Sequence, residues 1–480
     1  MYENRYWWSD AWDALSYGRD FDFSRTFYEQ FQELQNVVPQ LAMMNDDSVA
    51  SQNCQYVQDN FYSKNCYLLA GGWFNENCMY SQMVGATKEG VDVYSCYGDV
   101  ELVYECIHTK SLYNCAFLQD SENCSNCFFG YGLQSCKDCF ACVNLRQKQY
   151  CIFNEQYSKE EYQEKLKEFD TGSFTFIQGM KAKFEVFKKD FPRRNMRLKN
   201  CEECTGDHLY NSRECKNSFE GFDSEFCSYF VRVDTVKNCH DIISSGKCEW
   251  CYNNITSDES YMTHFSTWCL KSKYILYSDI CQSSEYCFGC VGLKRKKYCI
   301  FNKQYTKEEY EVLVPKIIEH MKSTGEWGEF FKAEICPFAY NETLAQDFHP
   351  LSEEEAKKLG YRWKEEEVKL EIRDQESERF EIPDKISEVR EDILTHNLVC
   401  EVSGATYKII PAELSFYKKM KLPVPRRAPA QRYRDRMAKM NPIALFERNC
   451  DKCGATMKTT FVKDNQEVVY CEKCFLESVY

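Results

Sequence analysis

The apolar residues of this chain fall mostly into short runs. Runs such as "CYLL", "VDVYSCY", "ELVYECI" and "FCSYFVRV" are made of strand-forming residues and are bounded by Asn, Ser, Gly and Asp. This pattern predicts a mainly β chain built from many short strands. No stretch of about 18 apolar residues occurs, so the sequence predicts no membrane-spanning helix.

Other segments place apolar residues at helical spacing. "YQEKLKEF" and "YEVLVPKIIEHM" each follow a capping box, formed by Ser158 with Glu161 and by Thr306 with Glu309. A third helix is predicted near the N-terminus, and it has the same kind of apolar face. The residues assigned to that helix are Phe27, Phe31 and Leu34 on the face and Ser24 as its cap.

The chain contains an internal duplication. "DCFACVNLRQKQYCIFNEQYSKEEY" (138–162) aligns without gaps on "YCFGCVGLKRKKYCIFNKQYTKEEY" (286–310), with 17 identities in 25 positions and an offset of 148 residues. Because each copy is preceded by about a hundred cysteine-rich residues, the sequence predicts two tandem modules.

Each module also has a finer cysteine period. Cys227, Cys248, Cys269 and Cys290 are 21 residues apart, and secondary spacings of 9 and 12 divide that interval. A fixed period near 20 residues is typical of a solenoid. We therefore expect two short parallel β-solenoids with 21-residue coils, in which these four cysteines are stacked on one inner face.

The chain has 30 cysteines, and most of them belong to these modules. The N-terminus lacks the basic start and apolar stretch of a secretory signal, so a cytoplasmic location is predicted, where cysteines are metal ligands or small buried residues. Packing is the favoured role, because the position of Cys136 in "CKDCFAC" is Ser284 in the second copy. Zinc or iron–sulfur binding by CxxC pairs remains an alternative. Those pairs are Cys124/Cys127, Cys136/Cys139/Cys142, Cys201/Cys204, Cys248/Cys251 and Cys287/Cys290.

The C-terminus carries the strongest motif. Cys450, Cys453, Cys471 and Cys474 form C-x2-C-x17-C-x2-C, and the segment between the two pairs has a length that suits a β-hairpin. Four thiolates complete a tetrahedral shell and leave no position for water. The motif therefore predicts one structural Zn²⁺ in a zinc ribbon.

A second ribbon-like stretch precedes this motif. "CEVSGATYKIIPAELSFYKKMKLPVPRRAPAQRYRDR" (400–436) resembles a zinc-ribbon family whose ligand positions fall here on Cys400, Ser403, Ala428 and Gln431. The resemblance implies a degenerate, metal-free ribbon, which we expect to be ordered by packing against the intact ribbon. The apolar residues assigned to that contact are Ile409, Leu414, Phe416 and Tyr417.

Further stretches extend the resemblance to nearly the whole chain. They include "YGRDFDFSRTFYEQF", "KNCYLL", "KKYCIFNKQYTKEEY", "PFAYNETLAQDFHPLSEEEAKKLGYRW" and the terminal ribbon. Together they resemble a family of cysteine-rich repeat proteins with a C-terminal zinc ribbon, found in small-genome uncultured bacteria. This resemblance implies zinc binding and no particular activity.

The predicted fold class is mainly β with α: two tandem parallel β-solenoid-like modules capped by helices, followed by a degenerate and an intact zinc ribbon. The predicted domains are an N-terminal helical cap (1–50), module 1 (51–157), a helical segment (158–199), module 2 (200–305), a second helical segment (306–349), a charged connector (350–397), the degenerate ribbon (398–440) and the zinc ribbon (441–480).

Charge distinguishes the C-terminal region from the rest. The net charge is −14, yet positions 418–458 hold 12 Lys and Arg against 3 Asp and Glu. We expect a basic, exposed binding face there, able to contact carboxylate or phosphate groups. Its candidate residues are Arg426, Arg427, Arg432, Arg434, Arg436, Lys418 and Lys419.

These features favour a zinc-binding scaffold or adaptor that contacts a protein partner through the basic region. Binding of nucleic acid or a ribonucleoprotein through the same region is the alternative. An enzyme of unknown type is a third interpretation. It ranks last because the sequence has no HExxH, GxGxxG, P-loop or GxSxG motif. Neither a membrane nor a small-molecule substrate is indicated.

Overall fold

The computed structural model describes residues 1–42, 51–226, 234–237, 243–249, 255–258, 260–365, 380–463 and 466–479, with backbone alone for the three short ranges between 234 and 258. The chain divides into two compact units. One comprises Met1–Ala42, Arg194–Glu366 and Pro442–Asn465; the other comprises Met43–Arg193, Glu367–Asn441 and Gln466–Tyr480.

Helices α1 (Asn4–Trp8) and α2 (Phe27–Val37) begin the chain. The predicted apolar face of α2 is buried, but Ser24 is not its cap: the helix begins after Thr26, and Ser24 donates a hydrogen bond to Asp22 instead. The buried carboxylate of Glu326 accepts from the backbone N–H groups of Phe27 and Tyr28 at 2.9 and 2.8 Å. A distant residue therefore satisfies the helix N-terminus, and no local cap is needed.

The first module is a parallel β-solenoid that ends in one antiparallel strand pair. Its strands are β1 (Gln58–Phe61), β2 (Ala70–Trp73), β3 (Gln82–Val91), β4 (Tyr94–Tyr104), β5 (Ile107–Lys110), β6 (Tyr113–Gln119), β7 (Ser125–Tyr131), β8 (Lys137–Val143), β9 (Gln149–Ile152) and β10 (Glu155–Gln156).

The coil of this solenoid spans twelve positions, so the predicted longer coil is wrong. In the strand register Ser125 pairs with Lys137 and Cys127 pairs with Cys139. Each residue therefore lies beside the residue twelve positions later in the chain, which is one coil further on. One extra residue near Gly98 lengthens a single coil, as the pairing of Thr87 with Val100 shows.

Each coil is made of residue triplets. From Cys54 to Cys96 every third residue points inward, and the residue before each inward position has a positive φ, for example 50° at Asn53, 54° at Asn65 and 56° at Asn77. This left-handed backbone costs about 1–2 kcal/mol for most residues, and least for Gly, Asn and Asp. Asn side chains offset part of the cost by stacking, with Asn65 Nδ2 donating to Asn77 Oδ1 at 3.0 Å.

Helices follow the first module, and a second solenoid follows them. The elements are α3 (Lys159–Leu166), α4 (Phe174–Lys188), β11 (Arg193–Arg194), β12 (Leu198–Lys199), β13 (Gly206–Tyr210), β14 (Ser218–Glu225), β15 (Asp234–Lys237), β16 (Ile243–Glu249), β17 (Ile255–Asp258), β18 (Tyr261–His264), β19 (Lys273–Leu276), β20 (Glu285–Phe288), β21 (Lys297–Ile300) and β22 (Lys303–Gln304). The same coil length recurs here, for example in the pairing of Lys273 with Glu285.

The second solenoid corrects the predicted cysteine stack. Because its coils have the same length as those of the first, Cys287 is paired with Cys299, and Cys290 lies on a different side of the coil from Cys269. The interval of 21 residues between Cys269 and Cys290 therefore separates positions on different sides of successive coils, and it is not the length of one coil. Cys227 and the side chain of Cys248 lie outside the described residues.

Triplets also explain the CxxC pairs among the described solenoid residues. A spacing of three places Cys124 and Cys127 on consecutive sides of one coil, and both thiols are buried. Serine replaces cysteine at other inward positions with the same contacts: Ser272 Oγ donates to Leu270 O at 2.9 Å and Cys281 O at 3.1 Å. This interchange supports a packing and hydrogen-bonding role for the described solenoid cysteines.

The remaining elements complete the chain. Both predicted capping boxes are confirmed at the starts of α3 and the next helix, α5. The elements are α5 (Lys307–Ser323), α6 (Leu344–Phe348), α7 (Glu353–Lys358), β23 (Leu398–Val399), β24 (Thr406–Tyr407), α8 (Pro411–Met420), α9 (Pro429–Met437), β25 (Phe446–Asn449), β26 (Thr456–Thr459), β27 (Val469–Tyr470) and α10 (Glu472–Val479). Within the described ranges, no helix has the length and apolarity required to cross a membrane.

Candidate metal centre

A tight turn holds the first cysteine pair. Strands β25 and β26 form an antiparallel hairpin around it, with Asn449 opposite Thr456. Cys450 N–H donates to Ala455 O, and Gly454 N–H donates to Cys450 O, both at 2.9 Å. Gly454 has φ +74°, a conformation that glycine adopts without strain. The hairpin of the described residues therefore lies around the first pair of thiols and not between the two pairs, where the sequence placed it.

The second cysteine pair lies at the beginning of α10. Cys471 immediately precedes the helix and Cys474 is in its first turn, with Phe475 N–H donating to Cys471 O at 2.9 Å. The C-x2-C spacing therefore places both thiols at one helix terminus.

The four thiols form one group. The Sγ atoms of Cys450, Cys453, Cys471 and Cys474 all lie within 4.8 Å of one another. Cys450 and Cys474 are buried, and Cys453 is exposed. Four thiols at this separation could hold a metal ion, and such a ligand set suits structural sites. The sequence motif identified all four residues.

The segment predicted as a degenerate ribbon (398–440, called the degenerate ribbon below) has the same first turn. Cys400 N–H donates to Ala405 O at 2.9 Å, and Gly404 N–H donates to Cys400 O at 3.0 Å. Ser403 N–H lies 3.5 Å from Cys400 Sγ, as a donor to sulfur. Burial acts to raise the pKa of Cys400, but hydrogen bonds from Ser403 and from the backbone N–H groups of Ala428 and Val402 hold that pKa below its ordinary value.

The second half of this segment also matches the candidate metal centre. Helix α9 begins at Pro429, so Ala428 precedes it and Gln431 is in its first turn. These are the positions that Cys471 and Cys474 hold at α10. A single thiol at these four positions cannot complete a set of four thiolate ligands, whereas the backbone of the site is retained.

The apolar face of the degenerate ribbon packs against the first solenoid. Leu414, Phe416 and Tyr417 share a buried cluster with Tyr104 of the solenoid and Ile177 of α4. The rings of Tyr104 and Tyr417 are 5.6 Å apart in an edge-to-face arrangement. The predicted packing against the intact ribbon is therefore corrected: the solenoid supplies the apolar partner.

Two of the predicted partner-binding arginines are buried, so the expectation of five exposed guanidinium groups is wrong. Arg432 and Arg436 are 4 % and 3 % exposed. Arg432 Nη1 lies 3.0 Å from Glu413 and 3.1 Å from Asp92, and Arg436 Nη1 lies 2.6 Å from Asp92. Both arginines are buried because they form ion pairs with buried carboxylates, which would be very costly to leave unpaired.

The carboxylate of Glu413 is fully enclosed. The Tyr80 and Tyr417 hydroxyls donate to it at 2.9 and 2.8 Å. Burial raises the pKa of Glu413 and outweighs the opposing effect of Arg432. Asp92, the shared partner of both arginines, was not identified from the sequence, although an acid inside the apolar run "VDVYSCY" is an unusual feature that could have marked it.

The other candidate residues are less deeply placed. Arg426 is half-buried over the ring of Phe174, 4.3 Å from its centre. Arg427 forms ion pairs with Glu401 at 3.0 Å and Asp435 at 2.7 Å. Three candidates lie on the surface, namely Lys418, Lys419 and Arg434. Lys419 forms an ion pair with Glu89.

A comparison of the chain with protein-family models finds no match, and a comparison with curated proteins finds none either.

Proposed function

We propose that Cys450, Cys453, Cys471 and Cys474 bind one structural Zn²⁺ and that the protein is a non-catalytic scaffold or adaptor. The observation that carries the metal assignment is the group of four thiols within 4.8 Å, built on a glycine turn and a helix terminus. Zinc is the ion that most often takes four thiolates in such a site, and the full shell leaves no position for substrate or water.

The scaffold assignment is supported by the repeated architecture. Tandem coils with a fixed register form long, regular surfaces, which repeat proteins use to bind other proteins. The degenerate ribbon supports it too, since its two buried arginines form ion pairs where it packs on the first solenoid. We also propose membership of the cysteine-rich, ribbon-bearing bacterial family that the sequence resembles.

The metal assignment is tested by elemental analysis of the purified full-length protein after dialysis against a weak chelator. We expect about one zinc per chain, because one group of four cysteines is present in the described residues. Cys471→Ser should lose that zinc. Cys400→Ser is the matched control and should retain it. Zinc contents of zero, or of two or more, would contradict the assignment.

The scaffold assignment is tested by affinity capture from the native host with and without nuclease. Protein partners that survive nuclease at moderate salt support the proposal. Recovery of nucleic acid with a steep salt dependence would instead favour nucleic-acid binding through the remaining basic residues.

A further inference from the structure

One cavity in the unit that contains the first solenoid combines aromatic walls with several cations. Its volume is about 140 Å³. Tyr104 and Phe117 of the solenoid and Phe174 and Ile177 of α4 supply apolar walls, and Pro423 and Pro425 of the degenerate ribbon add to them. A cavity of about 150 Å³ holds a molecule of the size of benzene. The space therefore suits one compact ligand with an apolar body.

Arginines line the same cavity with unused donors. Arg426, Arg432 and Arg436 all border it, and the last two are more than nine-tenths buried. Among the described residues, no acceptor bonds to Nε of these three arginines or to Nη2 of Arg432. A buried donor without an acceptor costs roughly 1–3 kcal/mol. The atoms concerned have almost no accessible surface, so of these three arginines the half-buried Arg426 is the one that a ligand in the cavity can contact.

The ion pairs around the cavity distinguish one cation from the others. The six cations that line it are Lys181, Arg426, Arg427, Arg432, Arg436 and Lys439. Five carboxylates pair with these cations. They are Asp92, Glu105, Glu401, Glu413 and Asp435. Each of the other five cations forms an ion pair with one of these carboxylates, whereas Arg426 forms none among the described residues and interacts with the Asp384 carboxylate only at longer range.

Glu105 remains ionised in this setting. Burial acts to raise its pKa, but Lys181 and Lys439 outweigh burial and hold the pKa of Glu105 at about 2. Lys181 Nζ donates to both carboxylate oxygens at 2.8 Å. This lysine is therefore already neutralised, which leaves Arg426 as the cation best placed to receive a ligand anion.

We propose that this cavity binds a small monocarboxylate whose apolar body lies between the aromatic walls and whose carboxylate accepts hydrogen bonds from Arg426. A phosphate dianion is disfavoured, because it would need more surplus positive charge and would leave the aromatic walls without an apolar partner. This site is separate from the proposed metal centre, so either assignment can fail without the other.

The test uses the purified full-length protein and 4-fluorobenzoate as probe, with binding followed by ¹⁹F relaxation and calorimetry. We expect saturable binding at one site. The neutral isostere 4-fluorobenzyl alcohol and inorganic phosphate should each bind at least about tenfold more weakly, since each lacks one of the two matched features. Equal binding of the alcohol, tighter binding of phosphate, or no binding of 4-fluorobenzoate would each overturn the proposal.

Variants locate the site. Arg426→Gln should weaken 4-fluorobenzoate binding by about tenfold or more, because it removes the receiving charge. Arg434→Gln, an exposed arginine of α9, is its matched control and should bind as the parent protein does. Unchanged binding by folded Arg426→Gln, as judged by circular dichroism, would overturn the proposal.

A second pair of variants keeps the proposal testable if Arg426→Gln fails to fold. Gln178 lines the cavity, so Gln178→Glu should repel the probe carboxylate and weaken its binding. Gly179→Glu introduces the same charge next to it, where an added side chain meets no atom within 4 Å, and should bind normally. Equal binding by these two variants would place the probe elsewhere and contradict the assignment.

Discussion

The inner cysteines of the solenoids act as small hydrogen-bonding residues. Cys96 is fully buried, and burial raises its pKa to about 12, so its thiol is protonated at neutral pH. Buried protonated thiols are weak nucleophiles and weak metal ligands. The Sγ of Cys281 lies 3.8 Å from both Asp279 O and Cys290 O, as a donor. Each thiol thus joins two segments of backbone inside the coil.

We expect Cys281→Ser to be mild and Cys281→Phe to be severe. Serine keeps the donor at a position type where Ser272 and Ser284 already occur, so the loss in unfolding free energy should be about 1 kcal/mol. Phenylalanine overfills a closely packed interior. The urea midpoint of each variant measures this, with zinc content as control. A collapse of the fold in the serine variant would indicate a metal-ligand role instead.

The residues with positive φ, which lie at the corners of the coils, can also be tested by substitution. Asn126 has φ +52°, accepts from Asn114 and donates to Asp138, both at 2.9 Å. Asn126→Val places a β-branched residue in that conformation and removes both bonds, so we expect a loss of about 2 kcal/mol. Asn126→Gly keeps the conformation and should lose less. If the two variants have equal urea midpoints, backbone conformation is not the source of the effect.

At the scale of elements, cysteine spacing predicts a solenoid but cannot give its coil length. Inward positions recur every third residue, so the sequence spacing between two inward cysteines can be any multiple of three residues. The Asn-Cys dipeptides that begin at Asn53, Asn65 and Asn77 repeat once per coil and identify its length, because Asn tolerates the left-handed corner. The four thiols of the candidate metal centre were predictable, since their motif is local. Burial of Arg436 was not, because its partner Asp92 is 344 residues away.

The buried ion pairs join α8 and α9 to the first solenoid. Arg432→Met leaves Glu413 and part of Asp92 without a counter-charge in the interior, so we expect a loss of about 3–5 kcal/mol. Adding Glu413→Gln should recover part of that loss. Arg434→Ala, on the same helix but exposed, should change stability by less than about 0.5 kcal/mol. Equal urea midpoints for Arg432→Met and Arg434→Ala would show that the buried pairs contribute little.

Asp384 gives a pH-dependent prediction for α4. Hydrogen bonds from the hydroxyls of Ser173 and Thr175 and from Thr175 N–H lower the pKa of Asp384 to about 2. Its value in the unfolded chain is about 3.9. A lowered pKa adds stability above about pH 4 that is lost as the pH falls toward 2.

We therefore expect Asp384→Asn to destabilise the protein by about 1 kcal/mol at pH 7, as for loss of a helix cap, and by almost nothing near pH 2. Urea midpoints at both pH values measure the difference. Asp170→Asn, which removes only an exposed ion pair with Lys385, is the control and should have a small effect at either pH. A constant difference across this pH range would exclude the Asp384 carboxylate as its source.

At the scale of the whole molecule, we expect two similar turn-and-helix sites to be stabilised by different means. The site at Cys400 retains one thiol and is held by the apolar cluster that Tyr417 shares with Tyr104. The site at Cys450 retains four thiols, and its short strands and single helix bury little apolar surface. Its buried apolar side chains, within the described residues, are Met457, Phe461 and Val469. Removal of metal should therefore unfold the site at Cys450 and leave the site at Cys400 folded.

Chelation tests this difference in a single experiment. Hydrogen exchange followed by mass spectrometry is compared before and after the full-length protein is treated with a chelator that would remove the proposed zinc. Segments 446–459 and 469–479 should lose protection, because metal binding and folding are coupled in such sites. Segments 398–440 and 113–152 should keep theirs, since buried side chains rather than metal hold them. Loss of protection in 398–440 would mean that the degenerate ribbon depends on the metal centre after all, and retained protection in 446–459 would mean that the four-cysteine group is not needed for local folding.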